Sequence, residues 1–172
     1  PETNALPQIT QQPQSRTNLV GTTVTFTITA SGTTPLSYQW IKNDTNYLTD
    51  DGTHIFGAAT ASLTLSNVLK SDEGSYRVVV TNAAGSVTSM IATLTVPVYI
   101  TGMVSKGTNL VLAGTGGWEG RDYYVLASTN LALPMANWVR VATNRFGVGG
   151  TFSMINAIDP AMRHLFFRLQ VP

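Results

Sequence analysis

Cysteine is absent from all 172 residues. That absence removes disulfides, zinc–thiolate centres and thiol nucleophiles together. Charge is scarce too: Asp, Glu, Lys and Arg make up 11% of the chain and the net charge is +1. So small a balance gives no electrostatic basis for a nucleic-acid partner or an acidic membrane surface. It divides unevenly, with four basic and six acidic residues in 1–97 against six basic and three acidic in 98–172. A weak basic bias of this kind reads as a solvated surface. No apolar run approaches the ~18 residues of a transmembrane helix, and no signal-peptide pattern opens the chain, so no membrane insertion is expected. The opening "PETNALPQITQQPQS" holds three prolines, which block regular structure, and residues 1–6 read as the remnant of a linker.

Histidine is nearly absent. A Ser-His-Asp triad needs an imidazole held between nucleophile and carboxylate, yet only His54 and His164 exist. The first lies in a turn-rich stretch and the second beside Arg163 at a strand entrance, so both are expected at the surface. Glycoside hydrolysis needs two carboxylates facing each other across a cleft. The nine acids fall mostly in loops. Asp44, Asp50 and Asp51 are close in sequence, but their spacing matches no calcium loop, and Asp51-Gly52 is better explained as a turn. The expectation is a non-catalytic protein with no cofactor and no metal site.

What is present is 43% apolar residues, set out with period 2. Val24, Phe26 and Ile28 alternate with Thr25, Thr27 and Thr29, the pattern of a half-buried strand. "LSYQWIKN" places Leu36, Tyr38 and Trp40 on one face, and "ASLTLSNV" does the same for Leu63 and Leu65. "SYRVVVT" turns Tyr76, Val78 and Val80 inward, "NAAG" makes a hairpin turn, and "SMIATLTV" sends Met90, Ala92, Leu94 and Val96 to the core. No segment carries a helical period. Short strands at this spacing indicate a β-sandwich.

"VTFTITASG", Trp40 and "LTLSNVLKSDEGSYRVVVTNAAG" together resemble the I-set immunoglobulin-like domain across residues 7–96. The resemblance rests on the strand tryptophan, the Leu-x-Leu-x-x-Val step, Asp72-x-Gly74-x-Tyr76 and Asn82-x-x-Gly85. It implies a tyrosine corner at Tyr76, whose hydroxyl should bond upstream backbone. It also places the two cysteine positions of such domains on Ile28 and Val78. Loss of a native disulfide costs about 2–5 kcal/mol. Two buried branched side chains contribute roughly 1.5–3 kcal/mol each, so packing Ile28 and Val78 against Trp40 can offset the missing bridge.

After "VPVYITG" the strand pattern restarts. "VYITGMV", "NLVLAGTG", "DYYVLAST", "NWVRVAT", "GTFSMINAI" and "HLFFRLQV" read as six further strands. Tyr123-x-Val125-x-x-Ser128-Thr129-Asn130-Leu131, Trp138, Gly150-x-Phe152 and Phe166-Phe167-Arg168 are similar to a C-terminal module of large secreted proteins of environmental bacteria, over about residues 108–172. Those proteins include polysaccharide-degrading enzymes and repetitive surface proteins. The resemblance implies a second small sandwich of Ig/Fn3-like type, ending at Pro172.

Trp40, Tyr76, Tyr123, Trp138 and Phe167 take inward positions and are expected in the cores. Trp118, in "GTGGWEGRD", Tyr124, opposite Tyr123 and Val125 on its strand, and Phe166, which shares a face with Arg168 and Gln170, do not fit so easily. Exposed rings beside Glu119, Arg121 and Asp122 are what a sugar-binding platform uses. The ring stacks on C–H faces while the polar neighbours bond hydroxyls. The competing expectation is that Trp118 packs against protein.

The sequence thus leads to an all-β fold of two tandem β-sandwich domains: an Ig-like I-set domain at 7–96 and a C-terminal sandwich module at 97–172. The expected role is that of a non-catalytic accessory region of a secreted or cell-surface bacterial protein. Its second domain would bind a polysaccharide, expected to be a neutral one, through Trp118, Tyr124, Glu119, Arg121 and Asp122, with a catalytic or surface domain upstream. The alternative is a purely structural or adhesive module: spacer, anchor or fibre subunit.

Overall fold

The computed structural model describes residues 4–157 and 165–172, so His164 and Arg163 lie outside the described residues. The chain divides into two compact units, Pro1–Pro97 and Val98–Pro172. Both are built from strands, with short 3-10 turns at Lys70–Asp72, Met135–Asn137 and Val148–Gly150.

The first unit runs β1 (Gln8–Gln11), β2 (Arg16–Thr17), β3 (Val24–Thr27), β4 (Thr29–Ser31), β5 (Ser37–Lys42), β6 (Asn46–Tyr47), β7 (Ile55–Phe56), β8 (Ser62–Leu65), β9 (Gly74–Asn82), β10 (Gly85–Thr88) and β11 (Ala92–Thr95). One sheet has the order β2-β11-β9-β5-β6, with β10 also on β9. The strands β3-β8-β7 form a second sheet, and β1 pairs with β4. Alternation does what period 2 requires. Val24, Phe26, Trp40, Leu63, Leu65, Tyr76, Val78, Val80, Leu94 and Val96 are all buried in one core that also holds Ile28.

Trp40 and Val78 are direct partners across the β5–β9 ladder. Phe26 stacks on Tyr76 at 4.9 Å between ring centroids. The Trp40 indole N–H donates to the Thr60 carbonyl at 2.9 Å. The indole nitrogen is therefore not stranded, and the two cysteine positions implied by the resemblance are filled by the buried hydrocarbon side chains Ile28 and Val78. The tyrosine corner is present: the Tyr76 hydroxyl donates to the Asp72 carbonyl at 2.6 Å. Burial, and then the Asp72 charge, push that phenol above its ordinary value, so it remains a neutral donor.

Met90 departs from expectation. It is 70% exposed because the last strand is broken between β10 and β11. At the break, buried Ser89 accepts the Val78 N–H through Oγ at 3.0 Å and donates to the Met90 carbonyl at 2.8 Å. The extra residues shift the register, and Met90 turns outward while Ala92, Leu94 and Val96 return to the core.

The second unit comprises β12 (Tyr99–Lys106), β13 (Asn109–Thr115), β14 (Asp122–Ser128), β15 (Val139–Arg145), β16 (Phe152–Ala157) and β17 (Phe166–Gln170). They form two three-stranded antiparallel sheets, β12-β13-β16 and β15-β14-β17. Leu112, Phe152 and Met154 from the first sheet share a core with Tyr123 and Val125 from the second, together with Phe146. Tyr123, Phe146 and Phe152 pack as three rings with centroids 4.7–6.2 Å apart. Phe167 is half-buried against this core.

Trp138 is not a core residue, contrary to the sequence reading. It caps the Met135–Asn137 turn just before β15 and is half-buried. Its indole N–H donates to the Leu133 carbonyl at 3.1 Å. The reason is a bulge. Val125 faces Ala142 but Leu126 faces Arg140, so Val141 is an extra residue and simple alternation through β15 fails.

Candidate functional site

Trp118, Glu119 and Arg121 belong to the loop 116–121 between β13 and β14, and Asp122 opens β14; the loop is held by the loop 146–151 between β15 and β16. The Gly117 N–H donates to the Gly150 carbonyl at 3.1 Å, the Gly120 N–H to Phe146 at 2.9 Å, and the Phe146 N–H to Arg121 at 2.9 Å. Glu119 Oε2 accepts the Gly149 N–H at 3.1 Å. Glycine is required where the loops meet. A Cβ on Gly117 would stand 2.2 Å from the Phe146 ring, and one on Gly150, at φ +72°, would stand 2.1 Å from the Gly117 oxygen. Phe146 thus fills the space beneath the loop, and Trp118 stays 41% exposed.

Beside Trp118 is a cleft of about 430 Å³ lined by Trp118, Arg121, Asp122, Val171 and Pro172. Asp122 Oδ1 accepts from Arg145 Nε at 3.1 Å. The structure therefore brings together three of the five expected residues: Trp118, Arg121 and Asp122. Glu119 is spent on the Gly149 amide and does not line the cleft. Nor does Tyr124, whose ring carries the Arg140 guanidinium, with its central carbon 3.7 Å from the ring centroid.

Four neighbours of these residues are not singled out by the sequence: Val171, which it places in the strand "HLFFRLQV", and Pro172, which it reads as the chain end, line the cleft, whereas Arg140 and Arg145 become visible through the β14–β15 pairing. The basic bias of residues 98–172 was the one signal that pointed to them.

A flat indole beside a guanidinium and a carboxylate can stack on the C–H face of a ring and bond hydroxyls around it. His54 is the one described histidine; expected at the surface, it is half-buried. Its Nε2 lies 3.0 Å from Asp72 Oδ1, and its Nδ1 meets the Ser66 carbonyl. The Ser66 hydroxyl points elsewhere, donating to the Thr53 carbonyl at 2.9 Å. The contact links two loops of the first unit.

Asp51 accepts backbone N–H bonds from His54, Ile55 and Thr53. Asp50 accepts those of Gly57 and Ala58. These carboxylates organise a turn. Among the described residues no group of three or more His, Asp or Glu side chains is placed to hold a metal ion, and no helix is long and apolar enough to cross a membrane.

Comparison with known proteins adds three findings. The sequence model described as Immunoglobulin I-set domain matches residues 7–96. A stretch of 90 residues is 37% identical to Endoglucanase C of Cellulomonas fimi, covering 52% of this chain and only 8% of that enzyme. Among solved structures, titin domain M7 superposes with a TM-score of 0.50 at 26% identity, covering 56% of this chain and 99% of the titin domain. The N-terminal Ig1-2 module of the Drosophila receptor protein tyrosine phosphatase DLAR gives a TM-score of 0.50 at 29% identity, covering 55% of this chain and 47% of that one.

Proposed function

Because the chain belongs to the immunoglobulin I-set family through residues 7–96, we propose that it is a non-catalytic accessory region of a secreted or cell-surface bacterial multidomain protein. In this reading the I-set unit is a spacer and the second unit binds carbohydrate. The second unit resembles modules found at the ends of large secreted proteins, and the parent carries a catalytic or surface domain upstream. Similarity to a small fraction of an endoglucanase supports a carbohydrate-active setting; it does not transfer that enzyme's activity.

The observation that carries the reading is Trp118, exposed over a cleft that also presents Arg121 and Asp122. Covering the exposed part of the indole with a ligand would be favourable. The glycine-to-phenylalanine packing beneath the loop keeps the ring outside the core. The test is affinity electrophoresis or calorimetry against a panel of plant and algal polysaccharides, comparing the protein with Trp118→Ala. Retardation by at least one polysaccharide, reduced in the variant, is expected. No retardation by any polysaccharide, or equal retardation of the variant, overturns the reading.

A structural or adhesive module is the second reading, and one observation favours it. Val104, Val111 and Ile155 form a cross-strand row on the sheet β12-β13-β16, with Val104 61% and Ile155 69% exposed. An apolar row of this kind suits an association surface. Concentration-dependent self-association, abolished by Ile155→Thr, would place this reading first.

A further inference from the structure

Four of the six basic residues of the second unit gather around one sheet face. Arg145 is the cross-strand partner of Asp122, and Arg140 and Arg168 flank Leu126 from its two sides. Asp122, Tyr124 and Leu126 share a face of β14, opposite core residues Tyr123 and Val125. The stacking of Arg140 on Tyr124 and the Arg145–Asp122 ion pair show these side chains on that same side. Arg121 joins them through the cleft it lines with Asp122.

All four arginines are exposed. Of these four, Arg145 alone has an ion-pair partner among the described residues. Glu119, the other nearby acid, is turned to the Gly149 amide. We propose that this face, continuous with the Trp118 cleft through Asp122, takes an acidic polysaccharide, one whose sugars carry carboxylate or sulfate groups.

Charge complementarity supplies the first argument. Arg121, Arg140 and Arg168 lack an ionic partner among the described residues, and like charges kept close are tolerated best when an anion lies over them. Residue type supplies the second. Every one of these cations is arginine, whose planar fork bonds a carboxylate or sulfate in bidentate fashion, as a lysine ammonium does not. Order supplies the third. Tyr124 holds the Arg140 guanidinium flat at 3.7 Å, so less side-chain freedom is lost on binding. The aromatic ring, already occupied, is a positioning group here and not a sugar platform. The cationic strip extends the ligand path from Trp118 across three strands, which suits a chain of sugars better than a single one.

The inference rests on the carbohydrate reading above, and the experiment separates the two. The full chain is run in affinity gels containing polygalacturonate, a sulfated galactan, neutral xyloglucan, poly-glutamate or single-stranded DNA, at low and high salt. It is compared with Trp118→Ala and with Arg140→Gln/Arg168→Gln, the thermal unfolding of each variant serving as a control for folding. The expected result is retardation by one of the acidic glycans, weakened by salt. The arginine double variant should lose on the order of tenfold in affinity, as the removal of two exposed charge contacts implies. A preference for polygalacturonate or for the sulfated galactan identifies which oxyanion the face takes.

Xyloglucan binding as strong as that of the acidic glycans, or unchanged binding by the double variant, overturns the acidic-ligand inference and leaves the Trp118 reading standing. Loss in the double variant with none in Trp118→Ala keeps the inference and removes the Trp118 cleft. Equal retardation by poly-glutamate or DNA overturns the inference in favour of a general polyanion surface.

Discussion

Val78→Ala tests how a cysteine-free sandwich holds together. Val78 is completely buried and sits opposite Trp40 on the β5–β9 ladder. Truncation removes two carbon groups, a loss of about 1.6 kcal/mol at ~0.8 kcal/mol each. The space left, ~50 Å³ if nothing moved, adds about 1.2 kcal/mol at ~24 cal/mol per Å³. Collapse into it is restrained, because Trp40 is fixed by its bond to Thr60 and Phe26 by its stack on Tyr76. The expected destabilisation is therefore about 2–3 kcal/mol. Urea titration with hydrogen exchange on peptides from β5 and β9 reads this unit separately from the second, which is necessary in a chain of two units. Val79→Ala, a neighbour on the less buried face, should cost well under half as much. Equal effects of the two substitutions, or an unchanged midpoint for Val78→Ala, would refute the claim that hydrocarbon packing here stands in for a bridge.

Three further outcomes are expected. Ser89→Ala leaves the Val78 N–H without its acceptor and should destabilise the first unit by about 1–3 kcal/mol in the same titration. Three backbone N–H groups, from His54, Ile55 and Thr53, hold the Asp51 carboxyl below its ordinary range. Since the folded carboxyl titrates lower than the unfolded one near ~3.9, its contribution is complete above about pH 4 and fades as pH falls further. The stability gap between wild type and Asp51→Asn should narrow across that acid range, and a gap independent of pH would contradict it. Gly117→Ala drives a methyl into Phe146 and should lower the unfolding midpoint of the second unit, by about 1–3 kcal/mol in free energy, with the first unit's transition unmoved.

The strands were legible where alternation is uninterrupted. Val24-Phe26, Leu63-Leu65 and Tyr76-Val78-Val80 each keep one face inward over several residues, and hydrophobic period alone places them. It failed where the backbone adds a residue. The break at Ser89 turns Met90 out, and the bulge at Val141 takes Trp138 away from the core, because one inserted residue exchanges the two faces of a strand. Nothing local to Met90 or Trp138 announces this. That Trp118, Arg121 and Asp122 share one cleft was legible, because they lie within five residues of one another. Tyr124 was seen as an outward ring, but its partner Arg140 lies on another strand in a register that the bulge alters. Glu119 looked available because the amide that occupies it belongs to Gly149, thirty residues away.

Magnitudes decide how much Trp118 can do by itself. A large aromatic offers up to ~250 Å², and Trp118 is 41% exposed, so about 100 Å² of indole remains for a ligand to cover. At ~25 cal/mol per Å² that is worth about 2.5 kcal/mol, short of the 4.1 kcal/mol that corresponds to a Kd of about 1 mM. Stacking therefore cannot account for a measurable affinity without contacts from its neighbours. Within the cleft those are Arg121 and an Asp122 already engaged by Arg145. Under the acidic-ligand proposal the shortfall is met by charge-assisted bonds from the cations of the adjoining sheet face. Trp118→Ala should accordingly weaken binding by no more than about 70-fold, the equivalent of that 2.5 kcal/mol. A larger loss, measured by calorimetry with folding intact, would mean that the indole orders the arginines as well as covering the sugar, contradicting the separation of roles drawn between Trp118 and Tyr124.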